Sequence, residues 1–199
     1  MWSVLTNKQV WLLAVIYSGS SATSNALSLW MPQILKSFGL SNLETGLLNM
    51  IPFGIASVFM IFWGLRADKS GERIWSTALP LALTSLSLAL TLLTGSLTMT
   101  LVLLSLVLLG NYSIKGPFFA LVTETLSPAQ AAAGIAAINT LAHLGTGAIT
   151  SLIGVLREQT GSFPVALLPL CVLTAVGCAL VFWIGRDRMR ASAAVAPAR

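Results

Sequence analysis

Lys115 ends a charge-free run from Ile74 to Ile114. A cation inside an apolar helix costs at least ~2.5–3.5 kcal/mol at a bilayer centre, so it normally faces a cavity or a partner. Facing a cavity, its ammonium would hold a substrate carboxylate; otherwise the side chain snorkels to the interface. Asn111 lies one helical turn earlier on the same face and would share that role. Further along, Asn139 and His143 are four residues apart on one face. His143 is the only histidine, and an imidazole titrates in the range proton coupling needs; a hydrogen-bonded packing role is the plainer alternative. Near the N-terminus, Tyr17, Ser21, Ser24 and Ser28 recur at helical spacing with Asn25 beside them. Such a stripe lines a wet cavity or fastens helices through serine hydroxyls. Glu124, just before an N-cap at Ser127 and Pro128 at the next helix start, reads as a solvated interfacial carboxylate, with a proton site as the alternative.

A second cluster runs from Gly64 to Arg73, with the sequence Gly-Leu-Arg-Ala-Asp-Lys-Ser-Gly-Glu-Arg. Gly64 is expected to let helices approach closely, and Gly71 to permit a tight reversal. Asp68, set among Arg66, Lys69 and Arg73, can pair with a cation or cap a helix in one conformation and release it in another. These residues read as a gating loop, or more simply as a short basic loop that sets topology. Catalytic chemistry is not supported. There is one histidine, no G-x-S-x-G and no paired carboxylates within the apolar runs. Cys171 and Cys178, seven apart, lack metal or redox spacing. No enzyme activity, metal or cofactor is expected.

The elements that carry these residues follow from composition. The chain of 199 residues is 56% hydrophobic and 9% charged, with mean hydropathy +0.87. Soluble domains carry roughly 25% charged residues. Charge is absent from Gln9 to Leu35, Thr45 to Leu65, Ile74 to Ile114, Thr125 to Leu156 and Gln159 to Gly185. A membrane helix needs about 20 apolar residues. Four runs hold one span each, and the long run divides at Gly95-Ser96. Six transmembrane helices are expected, near 10–31, 43–65, 74–94, 98–122, 129–154 and 164–185. The fold class is therefore all-α integral membrane. Period-2 alternation is absent, which argues against a membrane barrel, and the first apolar run outlasts a signal-peptide core. The net charge of +5 sits at helix ends, so the expected partner is the lipid bilayer and not nucleic acid.

Basic residues give the orientation. Lys8, Arg66, Lys69, Arg73, Arg186, Arg188, Arg190 and Arg199 fall on one side, against Lys36 and Arg157 on the other. The positive-inside rule then places both termini in the cytoplasm, as expected of a plasma-membrane protein. Trp2, Trp11, Trp63, Trp75 and Trp183 fall near the cytoplasmic ends and Trp30 near the other. Shifting the sequence by 90 residues superposes Asn49 on Asn139, Gly64 on Gly154, Asp68 on Glu158 and Gly71 on Gly161. With three helices per unit, the copies enter the membrane from opposite sides, giving a 3+3 inverted repeat over about 9–95 and 97–186, with a cytoplasmic tail at 187–199.

The Gly64–Arg73 segment resembles the GxxxD[RK]xG[RK][RK] loop of the major facilitator superfamily, with Glu72 in place of one basic residue. The resemblance extends to the anion:cation symporter family. Leu29-Trp30-Met31-Pro32-Gln33-Ile34-Leu35-Lys36 looks like the end of its helix seven. Phe62 to Trp75 is similar to its WGxxSDxxGERxWH stretch, with Ala67 for serine and Ser76 for histidine. Gly116-Pro117-Phe118-Phe119-Ala120-Leu121 is close to GPFWALP, and Ala132 to Asn139 matches AAGIALIN. These segments align with helices seven to twelve only. The resemblance implies a single domain over 1–199 that forms the C-terminal half of a secondary transporter. It implies a small organic anion, a carboxylate, carried with H⁺ or Na⁺. A missing N-terminal six-helix half or a second copy would complete the midplane site. A truncated chain or a non-transporting assembly partner is the alternative.

Overall fold

A computed structural model describes the backbone of residues 6–195 and side chains up to Arg186. Every regular element among these residues is helical. Helix α1 spans Lys8–Lys36, α2 Asn42–Ser70 and α3 Arg73–Leu90, extended by a 3₁₀ turn at Thr91–Leu93. Helix α4 covers Leu97–Ser113, α5 Lys115–Thr125, α6 Pro128–Thr160, α7 Phe163–Ala166 and α8 Leu168–Val195. The segments 42–70, 73–93, 97–125, 128–160 and 168–186 are long and apolar enough to cross a membrane. Helix α1 has the length, but its middle is rich in Ser, Thr and Asn from Ser18 to Ser28, and it is not among the five. The expected tail continues α8 to Val195. Trp2 and residues 196–199, including Arg199, lie outside the described residues, as do the side chains of Arg188 and Arg190.

Local chemistry sets the helix ends. Asn7 caps α1 by accepting from the Gln9 N–H at 2.9 Å. Ser41 and Glu44 form a reciprocal capping box at the start of α2. Glu72 caps α3 by accepting from the N–H groups of Ile74 (3.0 Å) and Trp75 (3.2 Å). Helices α2 and α6 end alike: Gly71 (φ +65°) and Gly161 (φ +68°) adopt the left-handed cap that glycine takes without a Cβ penalty. Gly71 lies beyond the expected span 43–65 and Gly161 beyond 129–154, so these helices outlast the spans read from hydropathy. The expected fourth helix is broken at Ile114. Pro117 has no N–H for the Ser113 carbonyl, which ends α4 there.

Helix α1 lies at the centre, packed against α6 and α8, while α3 packs on α4 and α8, and α2 on α4. One buried cluster gathers Leu13, Ile16, Tyr17, Phe118 and Ile138; another gathers Leu27, Met31, Leu104, Leu108 and Leu170. Small residues permit the close crossings. A Cβ on Gly19 would stand 3.3 Å from Thr174 of α8, and one on Gly110 only 2.5 Å from the Pro80 carbonyl of α3. Helix α2, by contrast, buries few residues and exposes Leu43, Leu47, Met50, Ile55, Val58 and Phe62.

Candidate functional site

Helix α1 carries its polar stripe between two neighbours. Towards α4, Ser20 Oγ donates to the Asn111 carbonyl at 3.2 Å, and Asn111 Nδ2 donates to Ser24 Oγ at 2.7 Å. Towards α6, Ser21 Oγ lies 3.1 Å from His143 Nδ1 and 3.2 Å from Thr146 Oγ1. Tyr17 is buried at 8% exposure, stacked on Phe118 at 5.1 Å and edge-on to Phe119 at 5.1 Å. Part of the stripe fastens helices and part of it is exposed. Ser20, Ser21 and Tyr17 are packed, whereas Asn25 and Ser28 reach the surface of the chain. Asn25 ties its Nδ2 to the Ser21 carbonyl at 2.9 Å.

Lys115 opens α5 just after the helix break and is half-buried. Its Nζ sits 4.2 Å from the centroid of the Tyr112 ring, a cation–π contact. Tyr112 meets Phe53 of α2 edge-on at 6.3 Å. Among the described residues, both ion pairs involve Arg73, so no carboxylate pairs with Lys115. Asn111 shares the helix but is only 1% exposed and is committed to α1, with its Oδ1 buried and unpartnered. Asn139 and His143 share α6 without bonding one another. Asn139 Nδ2 donates to the Ile135 carbonyl at 3.0 Å, and His143 is exposed beside Ser21. The structure thus joins Asn111 to Ser24 and His143 to Ser21, and no hydrogen bond links Lys115 to either group.

The Gly64–Arg73 segment is mostly helix. Gly64 to Ser70 complete α2, and only Gly71 and Glu72 lie between helices. The close approach expected at Gly64 is not made within this chain: a Cβ there meets no atom within 4 Å. Arg73 organises the rest. Its Nη1 pairs with Asp68 Oδ1 at 2.9 Å and donates to the Ala67 carbonyl at 3.3 Å, and its Nε pairs with Glu124 Oε1 at 3.0 Å. Arg66 lies over Trp63, 5.2 Å from its ring centroid, and Trp63 Nε1 donates to the Ser76 carbonyl at 2.9 Å. The Arg73–Glu124 pair, the Tyr112 plate and the Thr146 hydroxyl were not singled out from the sequence. Tyr112 alone had a local signal, three residues before Lys115 on the same helical face.

Residues 2–150 match the family model described as Major Facilitator Superfamily. The chain belongs to the Major Facilitator Superfamily. Two Agrobacterium vitis relatives, each named "Putative tartrate transporter", are 35% identical over 97% of this chain and 45% of the relative, and 36% identical over 94% and 42%. A quinolone resistance transporter of Acinetobacter baumannii is 31% identical over 89% of this chain and 41% of its own. The chain thus spans less than half the length of these curated relatives. A bacterial homologue of the human lysosomal transporter Spinster, in an inward-facing and occupied conformation, has the same fold over 91% of this chain and 50% of that one. The TM-score is 0.66 and the identity 14%. Membership makes this a membrane protein of a transporter superfamily, and its relatives are named as transporters, not enzymes.

Proposed function

We propose that this chain is the C-terminal half of a secondary transporter for a small organic anion, a carboxylate, moved together with H⁺ or Na⁺. Lys115 carries the proposal. It is a half-buried cation at a helix break inside an apolar segment, resting on Tyr112, with no carboxylate paired to it among the described residues. An anionic substrate group is the natural counter-ion. The tartrate named for two relatives is such an anion. Tyr17, Ser21, Asn25, Asn111, Asn139 and His143 form the remaining wall around α1.

The architecture proposed is six spans in a 3+3 inverted repeat, α1 to α3 and then α4 to α8, with both termini in the cytoplasm. Helix bounds support it: α2 and α6 both end on a left-handed glycine, and the two glycines are 90 residues apart. The face left open by α2 and α6 would meet an N-terminal half or a second copy, with substrate bound between them. Gly64, Asp68, Lys69, Gly71 and Arg73 form the gating loop. Its ion pairs, Arg73 to Asp68 and Arg73 to Glu124, tie α2 and α3 to the end of α5, and breaking them would free the two ends to part. The alternative is a non-transporting assembly partner. Uptake of labelled tartrate into proteoliposomes decides between them. The chain alone should accumulate none. The chain joined to the N-terminal half of an Agrobacterium vitis relative should accumulate it, and failure of that pair would remove the transport reading.

A further inference from the structure

The end of the bundle opposite the Arg73 loop holds a polar cleft that nothing above uses. It lies between the last turns of α1 and the first turns of α2 and has a volume of about 300 Å³. Five polar side chains line it: Gln33, Lys36, Asn42, Thr45 and Asn49. Two of them hold polar atoms that are buried and lack any partner, Thr45 Oγ1 and Asn49 Oδ1. Thr45 as a whole is 6% exposed.

Thr45 Oγ1 departs from a pattern common in this chain. The hydroxyls of Thr23, Thr84, Thr146 and Thr174 donate to the carbonyl four residues earlier, as do the amides of Asn25 and Asn139. Asn139 is the residue that the 90-residue shift sets against Asn49. The Asn139 amide N–H is anchored to its own helix, whereas Asn49 Oδ1 is buried without a partner, as is Asn111 Oδ1. Buried polar atoms without partners are rare and are completed by a ligand or water.

Lys36 is the only charged side chain lining the cleft. Glu44, one residue before Thr45, has its carboxylate held by the Ser41 N–H at 2.9 Å and the Ser41 hydroxyl at 2.7 Å. The cleft therefore presents one cation near the mouth, where the charge-free run ends at Leu35. Asn49 lies seven residues beyond Asn42, about 10 Å deeper at 1.5 Å per residue. Lys36 calls for an anionic oxygen. Asn49 Oδ1 only accepts, so the ligand must also present a donor, which a hydroxyl supplies. Thr45 can complete either group.

We propose that this cleft binds a hydroxylated carboxylate, as an outer site distinct from Lys115 and complete within this chain. The ligand's identity rests on the transport reading; the site itself does not. A phosphatidylglycerol headgroup carries the same chemistry, an anionic oxygen beside hydroxyls, so the test separates the two sources. The purified full chain is placed in phosphatidylcholine nanodiscs, and binding of tartrate and of succinate is measured by calorimetry. Tartrate should bind about tenfold tighter than succinate, which lacks the hydroxyls. Lys36→Gln should weaken tartrate binding by about tenfold or more, while Lys36→Arg keeps most of it. Asn49→Leu should erase the preference for tartrate. No tartrate binding by the unmodified chain would overturn the proposal. So would affinity unaffected by Lys36→Gln, or a preference for tartrate that survives Asn49→Leu. Binding abolished by phosphatidylglycerol at matched tartrate would assign the cleft to lipid and overturn it as well. Failed uptake by a reassembled transporter would count against the transport reading alone.

Discussion

Gly110 is where a single methyl group should damage this fold most. Helix α4 crosses α3 there, and a Cβ would stand 2.5 Å from the Pro80 carbonyl oxygen, 2.5 Å from Thr84 Oγ1 and 3.1 Å from Thr84 N. Comfortable non-bonded separations are about 3.5–4.0 Å, so the helices must separate by roughly 1 Å. Thr84 cannot simply turn away, because its hydroxyl donates to that same Pro80 carbonyl at 2.9 Å. Overpacking of this kind costs about 1–3 kcal/mol, and the helix preference of Ala returns at most about 1 kcal/mol. Gly110→Ala should therefore destabilise by up to about 2 kcal/mol net, and Gly110→Leu by more. Gly64→Ala is the matched control, since no atom lies within 4 Å of its Cβ. Reversible unfolding in mixed micelles, followed by circular dichroism, reads the difference. Equal stability of Gly110→Ala and Gly64→Ala would refute the α3–α4 crossing described above.

Two further predictions concern the charged loop and the orientation. Arg73 bridges Asp68 and Glu124, which are 71% and 45% exposed. A double-mutant cycle on Arg73 and Glu124 in the same micelles should give a coupling of only about 0.2–1 kcal/mol, decreasing with salt; a salt-independent coupling above about 2 kcal/mol would contradict a solvated pair. Reporter fusions after Arg73 and after Arg157 should report opposite sides of the membrane, with Arg73 cytoplasmic. The same side for both would end the six-span proposal.

Much of the helical framework was legible because apolar runs and charge breaks are one-dimensional signals. The helix start at Ser127-Pro128 was read from its residue types, whereas the caps at Ser41 and Glu72 and the break before α5 were not. The helix ends were misjudged for one physical reason. Hydropathy stops where lipid stops, whereas a helix continues into the headgroup region until a glycine such as Gly71 or Gly161 caps it. The site was harder to read. Helical spacing put Asn111 and Lys115 on one face, but the break at Ile114 and the bond from Asn111 to Ser24 leave them with different partners. Arg73 and Glu124 are 51 residues apart, and no local pattern predicts such a pair. Likewise Gly64 looked like a contact residue by type, and only the packing of its surroundings showed open space.

The carboxylate-transport proposal stands or falls on Lys115. The chain is paired with an N-terminal half, and tartrate affinity is measured with membrane abundance as the control. Lys115→Gln should weaken the transport-site affinity by more than about tenfold, about 1.4 kcal/mol or more, while insertion is unchanged. Lys115→Arg should restore only part of it, because the planar guanidinium differs in reach and donor geometry. Affinity within about twofold of the unmodified protein in Lys115→Gln would show that the lysine snorkels to the interface, and would contradict the central claim.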